Sequence, residues 1–123
     1  MTLEIIGKVV KEENGAGFAN FKMEIFAIDQ MLFEKKVGEV FSESSGEFRA
    51  SIDDKDFTVK FGEGYGIYLI TYNVKNTLLS HGRYDQQGKI KWSAKNLVKF
   101  DMTFPTSVEH QDPPNFDDLF KKV

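Results

Sequence analysis

Two histidines, a short run of aspartates, three alternating glycines and a set of aromatic rings are the residues of this chain whose types can do chemistry. None falls at a spacing that demands one reaction. His81 follows a short apolar run and precedes Gly82, a place where a general base can sit. No Gly-x-Ser-x-Gly elbow presents a nucleophile to it, so a structural or surface role is the favoured reading. His110, beside Glu109 and Asp112, has the company of a metal ligand but lies in polar sequence that reads as solvated linker, and ligand sets need a rigid frame. Asp53, Asp54 and Asp56, joined by Asp29 from another loop, supply hard oxygens suited to calcium. Their spacing departs from the calcium-loop pattern Asp-x-Asp-x-Asp-Gly, and an acidic turn explains them without an ion. They are weak metal candidates, and no cofactor is expected. Gly62, Gly64 and Gly66 mimic a phosphate loop but lead into a β-rich run instead of a helix start, which predicts a bulge or bend. Tyr65, Tyr68, Tyr72, Tyr84 and Trp92 are expected mostly in the core, with a stacking patch for sugars or a partner as the alternative.

The elements that must position these residues are strands. Leu3, Ile5, Gly7 and Val9 alternate with Glu4, Ile6, Lys8 and Val10, and Asn14-Gly15 follows, so a strand entering a hairpin is expected. Phe21, Met23 and Ile25 face one way and Lys22, Glu24 and Phe26 the other, giving a second half-buried strand that closes near Asp29. Val37, Val40 and Phe41 around Gly38, then Ser44-Ser45-Gly46, then Phe48, Ala50 and Ile52, read most simply as another hairpin. Tyr65 to Val74 suits a central strand, Leu78-Leu79 a short strand or edge, and Gln87-Gly88-Lys89 a turn toward Ile90 and Trp92. Val98, Phe100, Met102 and Phe104 share one face of a strand that Pro105 ends.

Beyond Pro113-Pro114, Phe116, Leu119, Phe120 and Val123 fall at i, i+3, i+4 and i+7, one apolar helical face. Asn115 is placed to cap that helix, with Asp117 and Asp118 in its first turn and Lys121 and Lys122 in its last. Nine residues do not stay helical alone in water. The segment must therefore dock, either on its own sandwich or in a groove of another chain, where these four apolar residues form the expected partner-binding contact.

With 123 residues the chain fits one domain and buries a core without staples. We expect residues 1–107 to form the sandwich and residues 108–123 a linker and short amphipathic helix. Twelve phenylalanines can fill the interior, and the absence of cysteine removes disulfides, thiolate nucleophiles and zinc-thiolate sites. A formal charge of −3 with scattered lysines speaks against nucleic acid. No apolar stretch approaches the ~18 residues of a membrane span. Met1-Thr2-Leu3-Glu4-Ile5-Ile6 is unlike a signal peptide, so a cytoplasmic place is favoured.

The order Gly7-Lys8-Val9-Val10, Asn14-Gly15, Ala19 to Phe26, Val37-Gly38-Glu39, Ser45-Gly46-Glu47-Phe48 and Gly66-Ile67-Tyr68 resembles the transthyretin-like group, close to carboxypeptidase regulatory-like domains, over roughly residues 3 to 82. The resemblance implies an all-β, antiparallel Greek-key sandwich of about seven strands, here with a short C-terminal helix, and a non-catalytic role in adhesion, folding support or assembly. Some relatives bind hormones or hydrolyse a purine breakdown product. That branch carries a terminal Tyr-Arg-Gly-Ser motif and several histidines, whereas this sequence has Phe120-Lys121-Lys122-Val123 and only His81 and His110. The expected function is a binding or assembly module that engages a protein partner, or a second copy of itself, through a sheet edge and the C-terminal segment. A small hydrolase using His81, and a calcium- or carbohydrate-binding module, are the alternatives.

Overall fold

Burial alternates with a period of two along Lys22–Asp29 and Leu97–Phe104, whereas Tyr65–Tyr72 is buried on both faces. The computed structural model describes residues 2–53, 65–93 and 95–114. Within them run β1 (Thr2–Lys11), β2 (Lys22–Asp29), β3 (Glu34–Phe41), β4 (Glu47–Asp53), β5 (Tyr65–Tyr72), β6 (Leu78–His81), β7 (Lys91–Trp92) and β8 (Leu97–Phe104), followed by a 3-10 turn at Thr106–Val108. They form two sheets, one ordered β4-β1-β8 and the other β3-β2-β5-β6, with β7 also paired to β5. The protein is thus all-β, and Tyr65–Tyr72 is central as its composition predicts. No helix of the described residues is long and apolar enough to cross a membrane.

The inward faces of the sheets meet in one cluster. Leu3, Ile5, Val9, Phe48, Ile52, Val98, Phe100 and Met102 come from the smaller sheet, and Met23, Ile25, Ala27, Val37, Ile67 and Leu69 from the larger. This is a layered sheet-on-sheet arrangement. β8 keeps the predicted alternation without a break, Val98, Phe100, Met102 and Phe104 buried and the residues between them exposed.

Three expectations change. The Asn14-Gly15 turn forms, with Gly15 at φ 74° and the Asn14 side chain accepting from the Ala16 N–H at 2.9 Å. The returning chain, however, makes only the bridge Val10↔Gly17 and then crosses to the other sheet. The cause lies just beyond the turn, where Phe18 and Phe21, fully buried and stacked at 4.5 Å, draw the backbone through the core. The second expected hairpin is likewise an inter-sheet connection, since β3 pairs with β2 while β4 pairs with β1. Its Gly46 (φ 85°) sits so close to β1 that an added Cβ would lie 2.3 Å from the Val9 carbonyl oxygen. Finally, pairing is not antiparallel throughout: β1 runs antiparallel to β4 but parallel to β8, with Ile5 opposite both Ala50 and Val98. A parallel neighbour requires a long crossover, and here the crossover contains the whole second sheet.

The chain after β8 is fastened down. Buried Asn73, in the β5–β6 turn, donates to the carbonyls of Val108 and Gln111, both at 2.8 Å, and accepts from the N–H groups of Lys75 and Thr77, both at 2.9 Å. Thr77 Oγ1 also donates to Gln111 O at 2.5 Å, and Lys75 pairs with Asp112 at 3.0 Å. The stretch expected to be linker from residue 108 is therefore bonded to the body as far as Asp112.

Candidate functional site

The outer face of the five-stranded sheet gathers most of the residues with chemical potential. Residues of β2 and β5 that point away from the core form a second cluster there, Ile28, Tyr68 and Ile70 packed with Phe26, Tyr72 and Ile90. Four rings continue it outward: Phe26 stacks on Tyr68 at 5.3 Å, Tyr68 on His81 at 5.5 Å, and His81 meets Tyr84 tilted at 4.7 Å. Tyr68 is fully buried within this series and Tyr84 largely exposed at its end.

Two polar clamps border the rings. The Tyr68 hydroxyl donates to Glu34, whose carboxylate also receives Arg83 at 2.8 Å. The Tyr68 hydrogen bond, helped by Arg83, holds the Glu34 carboxyl below its ordinary range. Burial, with Glu34 beside it, pushes the Tyr68 phenol well up. On the next residue pair along, Lys36 bridges Glu24 at 2.7 Å and Glu39 at 3.1 Å. Burial and the Glu24 hydrogen bond push the Tyr72 phenol up to about 12. Each phenol lies beside a carboxylate, Tyr68 beside Glu34 and Tyr72 beside Glu24, and donates to it.

His81 stands in this face as one ring of a stack. Its Nδ1 accepts a long bond from the Arg83 N–H at 3.4 Å. Asp85, four residues on, does not reach the imidazole: one oxygen accepts from Ser80 Oγ and the other from the His81 backbone N–H, each at 2.8 Å. Ser80 is paired opposite inward-facing Thr71 and is buried, so its hydroxyl points away from the ring. The chain thus places a serine, a histidine and an aspartate within six residues without aligning them for proton transfer.

The remaining sequence candidates are dispersed. Asp29 caps its own turn, accepting from the N–H groups of Met31 at 2.9 Å and Phe33 at 3.1 Å. Asp53 closes β4 in the other sheet, opposite Thr2, and Asp54 and Asp56 lie outside the described residues. Among the described residues no group of three or more His, Asp or Glu is arranged to hold a metal ion. His110 is exposed, 3.6 Å from Glu109. Gly66 marks a close approach, as a Cβ there would lie 2.8 Å from Ile90 and 3.1 Å from the Trp92 ring. Gly62, Gly64 and the candidate contact residues Phe116, Leu119, Phe120 and Val123 lie outside the described residues.

An open strand edge is the second feature. The bonds from Glu4 N–H to Asn96 O and from Glu12 N–H to Phe104 O place the even-numbered groups of β8 on the β1 side. Leu97, Lys99, Asp101 and Thr103 therefore turn their N–H and C=O groups outward. Thr103 is met by the side-chain amide of Gln87, which donates to its carbonyl at 2.8 Å and accepts from its N–H at 3.1 Å. Among the described residues no strand pairs with Lys99 or Asp101 on that side. Neither the Gln87 clasp nor the Glu34–Arg83 clamp is signalled in the sequence, because each joins distant segments.

No protein-family model matches the chain, and no curated protein matches it significantly. Among solved structures it is similar to a 9R-lipoxygenase from Cyanothece PCC8801, at 14% identity and a TM-score of 0.48 over 91% of this chain and 17% of that one. It is also similar to the 3-chlorocatechol 1,2-dioxygenase of Rhodococcus opacus 1CP, at 13% identity and a TM-score of 0.41 over 84% of this chain and 59% of that one. The major plantain pollen allergen Pla l 1 is matched at 14% identity and a TM-score of 0.40, over 94% of this chain and 99% of that one. The chain therefore spans less than a fifth of the lipoxygenase chain.

Proposed function

We propose that this chain is a non-catalytic binding and assembly module, a Greek-key sandwich of the transthyretin-like kind, that captures a protein partner along the open edge of β8. The carrying observation is the alternation of paired and unpaired backbone in that strand: Lys99 and Asp101 present N–H and C=O groups outward, while Gln87 already occupies Thr103 as a peptide group would. An added strand continues the ladder from that point, taking affinity from main-chain bonds and specificity from alternate side chains. The Lys99–Asp101 pair, 3.5 Å apart on the outer face, guards the edge against indiscriminate pairing. The segment from Pro113 to Val123, with Phe116, Leu119, Phe120 and Val123, is the second contact in this reading.

The test is affinity capture from the native lysate with three chains: intact, Asp101→Pro, and truncated after Ser107. Proline at Asp101 removes one outward donor and leaves the β1 ladder whole. Partners kept by the intact chain and lost by Asp101→Pro support edge capture, and partners lost only on truncation assign the contact to the C-terminal segment. Equal retention by all three overturns both. A dimer in sedimentation that Asp101→Pro dissociates makes the partner a second copy.

A further inference from the structure

Five of the nine large apolar side chains left exposed among the described residues stand at one end of the sandwich, where β1 begins and β2 finishes: Met31, Leu32, Phe33, Trp92 and Leu97. The first three are consecutive and occupy the tip of the β2–β3 hairpin, 77%, 54% and 70% exposed. The tip is built, not frayed. Asp29 caps it from below through Met31 and Phe33, and the Leu32 N–H returns to Asp29 O at 3.0 Å. Leu32 is held at φ 68°, a left-handed conformation that leucine disfavours. Among the described residues the other four such non-glycine positions are filled by Asn20, Asn76, Asn96 and Ser93. An apolar branched residue at the fifth is unfavourable both for the backbone and for solubility.

Trp92 lies beside this tip. It and Ser93 share with Gln30 and Leu32 a hollow of about 210 Å³. The chain around it is basic: between Asp85 and Asp101 there are four lysines, Lys89, Lys91, Lys95 and Lys99, and no acidic residue, although the protein as a whole is acidic. We propose that this end docks peripherally on an anionic lipid surface, the Met31-Leu32-Phe33 tip entering the boundary between headgroups and acyl chains. Trp92 then lies at headgroup depth, with Lys95, in the loop between Trp92 and Leu97, against the lipid phosphates and carboxylates, and Lys89 and Lys91, the latter turned over the Phe100 ring, adding attraction at longer range.

Shape and charge select this occupant. The three tip side chains present roughly 400 Å² by areas typical of such residues, about half of the ~800 Å² that each partner gives to a stable protein interface. A convex tip needs no complementary groove in a bilayer, where a few apolar side chains and several lysines add their separate contributions. Tryptophan beside lysine is the residue pair that membrane interfaces favour. The inference is independent of the β8 edge, which neither contributes to the tip nor depends on it.

Trp92 is the chain's one tryptophan, so its emission reports the docking directly. The full-length protein is titrated with phosphatidylcholine vesicles with and without phosphatidylserine, following Trp92 emission and co-sedimentation. Expected are a blue shift and pelleting with phosphatidylserine vesicles, an about tenfold weaker partition for Phe33→Ser and again for Met31→Ser, and weakening by salt. Phe41→Ser, which removes an exposed ring at the opposite end, leaves binding unchanged. The tip residues are exposed, so the variants keep the wild-type melting temperature. No binding to either vesicle overturns the proposal. So does binding indifferent to both tip substitutions, which is simple charge adsorption. Self-association abolished by Phe33→Ser without vesicle binding also overturns it and makes the tip a contact between copies.

Discussion

Replacing Asn73 with alanine removes, in one substitution, four hydrogen bonds that hold two parts of the chain together. The side chain is only 3% exposed, and the groups it satisfies are the Lys75 and Thr77 N–H groups on one side and the Val108 and Gln111 carbonyls on the other. At a net ~0.5–1.5 kcal/mol for each bond, and with access of water to the vacated site partly compensating, the loss comes to about 3 kcal/mol. That is a large share of the ~5–15 kcal/mol typical of a domain. At this chain length each kcal/mol moves the midpoint by about 4 °C, so the melting temperature falls by about 12 °C. Urea unfolding followed by far-UV circular dichroism measures the change in midpoint at constant slope. Truncation after Ser107 supplies the second arm of a double-mutant cycle, because it removes both carbonyl partners while leaving the turn. In the truncated chain Asn73→Ala then costs only the turn half, about 1.5 kcal/mol. A full-length cost below about 1 kcal/mol, or the same cost with and without residues 108–123, refutes the clasp.

Two further outcomes follow from other contacts. Glu34 has its carboxyl held below the ordinary range by the Tyr68 hydroxyl and Arg83; its contribution is present at neutral pH and is lost as acid titrates the folded-state group below the unfolded value. Glu34→Gln is therefore less stable than wild type at neutral pH, and the gap between the two melting temperatures narrows as the pH falls below 4; a gap that stays constant refutes the assignment. Gly46→Ala combines a φ of 85° with a Cβ 2.3 Å from Val9 O, and is expected to cost about 1–3 kcal/mol in chemical unfolding, against little change for Gly15→Ala beyond its own backbone strain, since nothing lies within 4 Å there.

Faces were legible in the sequence, and partners were not. Alternation at Val98, Phe100, Met102 and Phe104 states which side of a strand is buried, and the same holds for Met23 and Ile25, because burial follows a side chain's own polarity. Which strand lies alongside depends on residues elsewhere. Asn14-Gly15 makes the turn it promises, yet Phe18 and Phe21 carry the chain into the opposite sheet, since two stacked rings bury more apolar surface between sheets than on one. The candidate site divides similarly. His81 and the tyrosines are visible as residue types, but the stack Phe26–Tyr68–His81–Tyr84 assembles from three strands and a loop. Glu34 meets Arg83 from 49 residues away. A local signal was available at the hairpin tip, where Met31, Leu32 and Phe33 break the rule that turns are polar.

The parallel pairing of β1 with β8 fixes the order in which the molecule can be finished. Glu4 and Leu97 are neighbours across 93 residues, so on the ribosome β1 emerges well before the strand that pairs with it. Until then β1, the middle strand of its sheet, has one side open and its Ile5 and Val9 face uncovered by Val98, Phe100 and Met102. The larger sheet, whose strands all lie between, has no such dependence and can close first. The smaller sheet is in this sense a latch: any event that stops synthesis before Phe104, or strips β8 from a finished molecule, leaves a strand with unpaired backbone and an exposed apolar face. Such species are candidates for chaperone holding or aggregation, and the integrity of the smaller sheet hangs on a pairing between residues 93 apart.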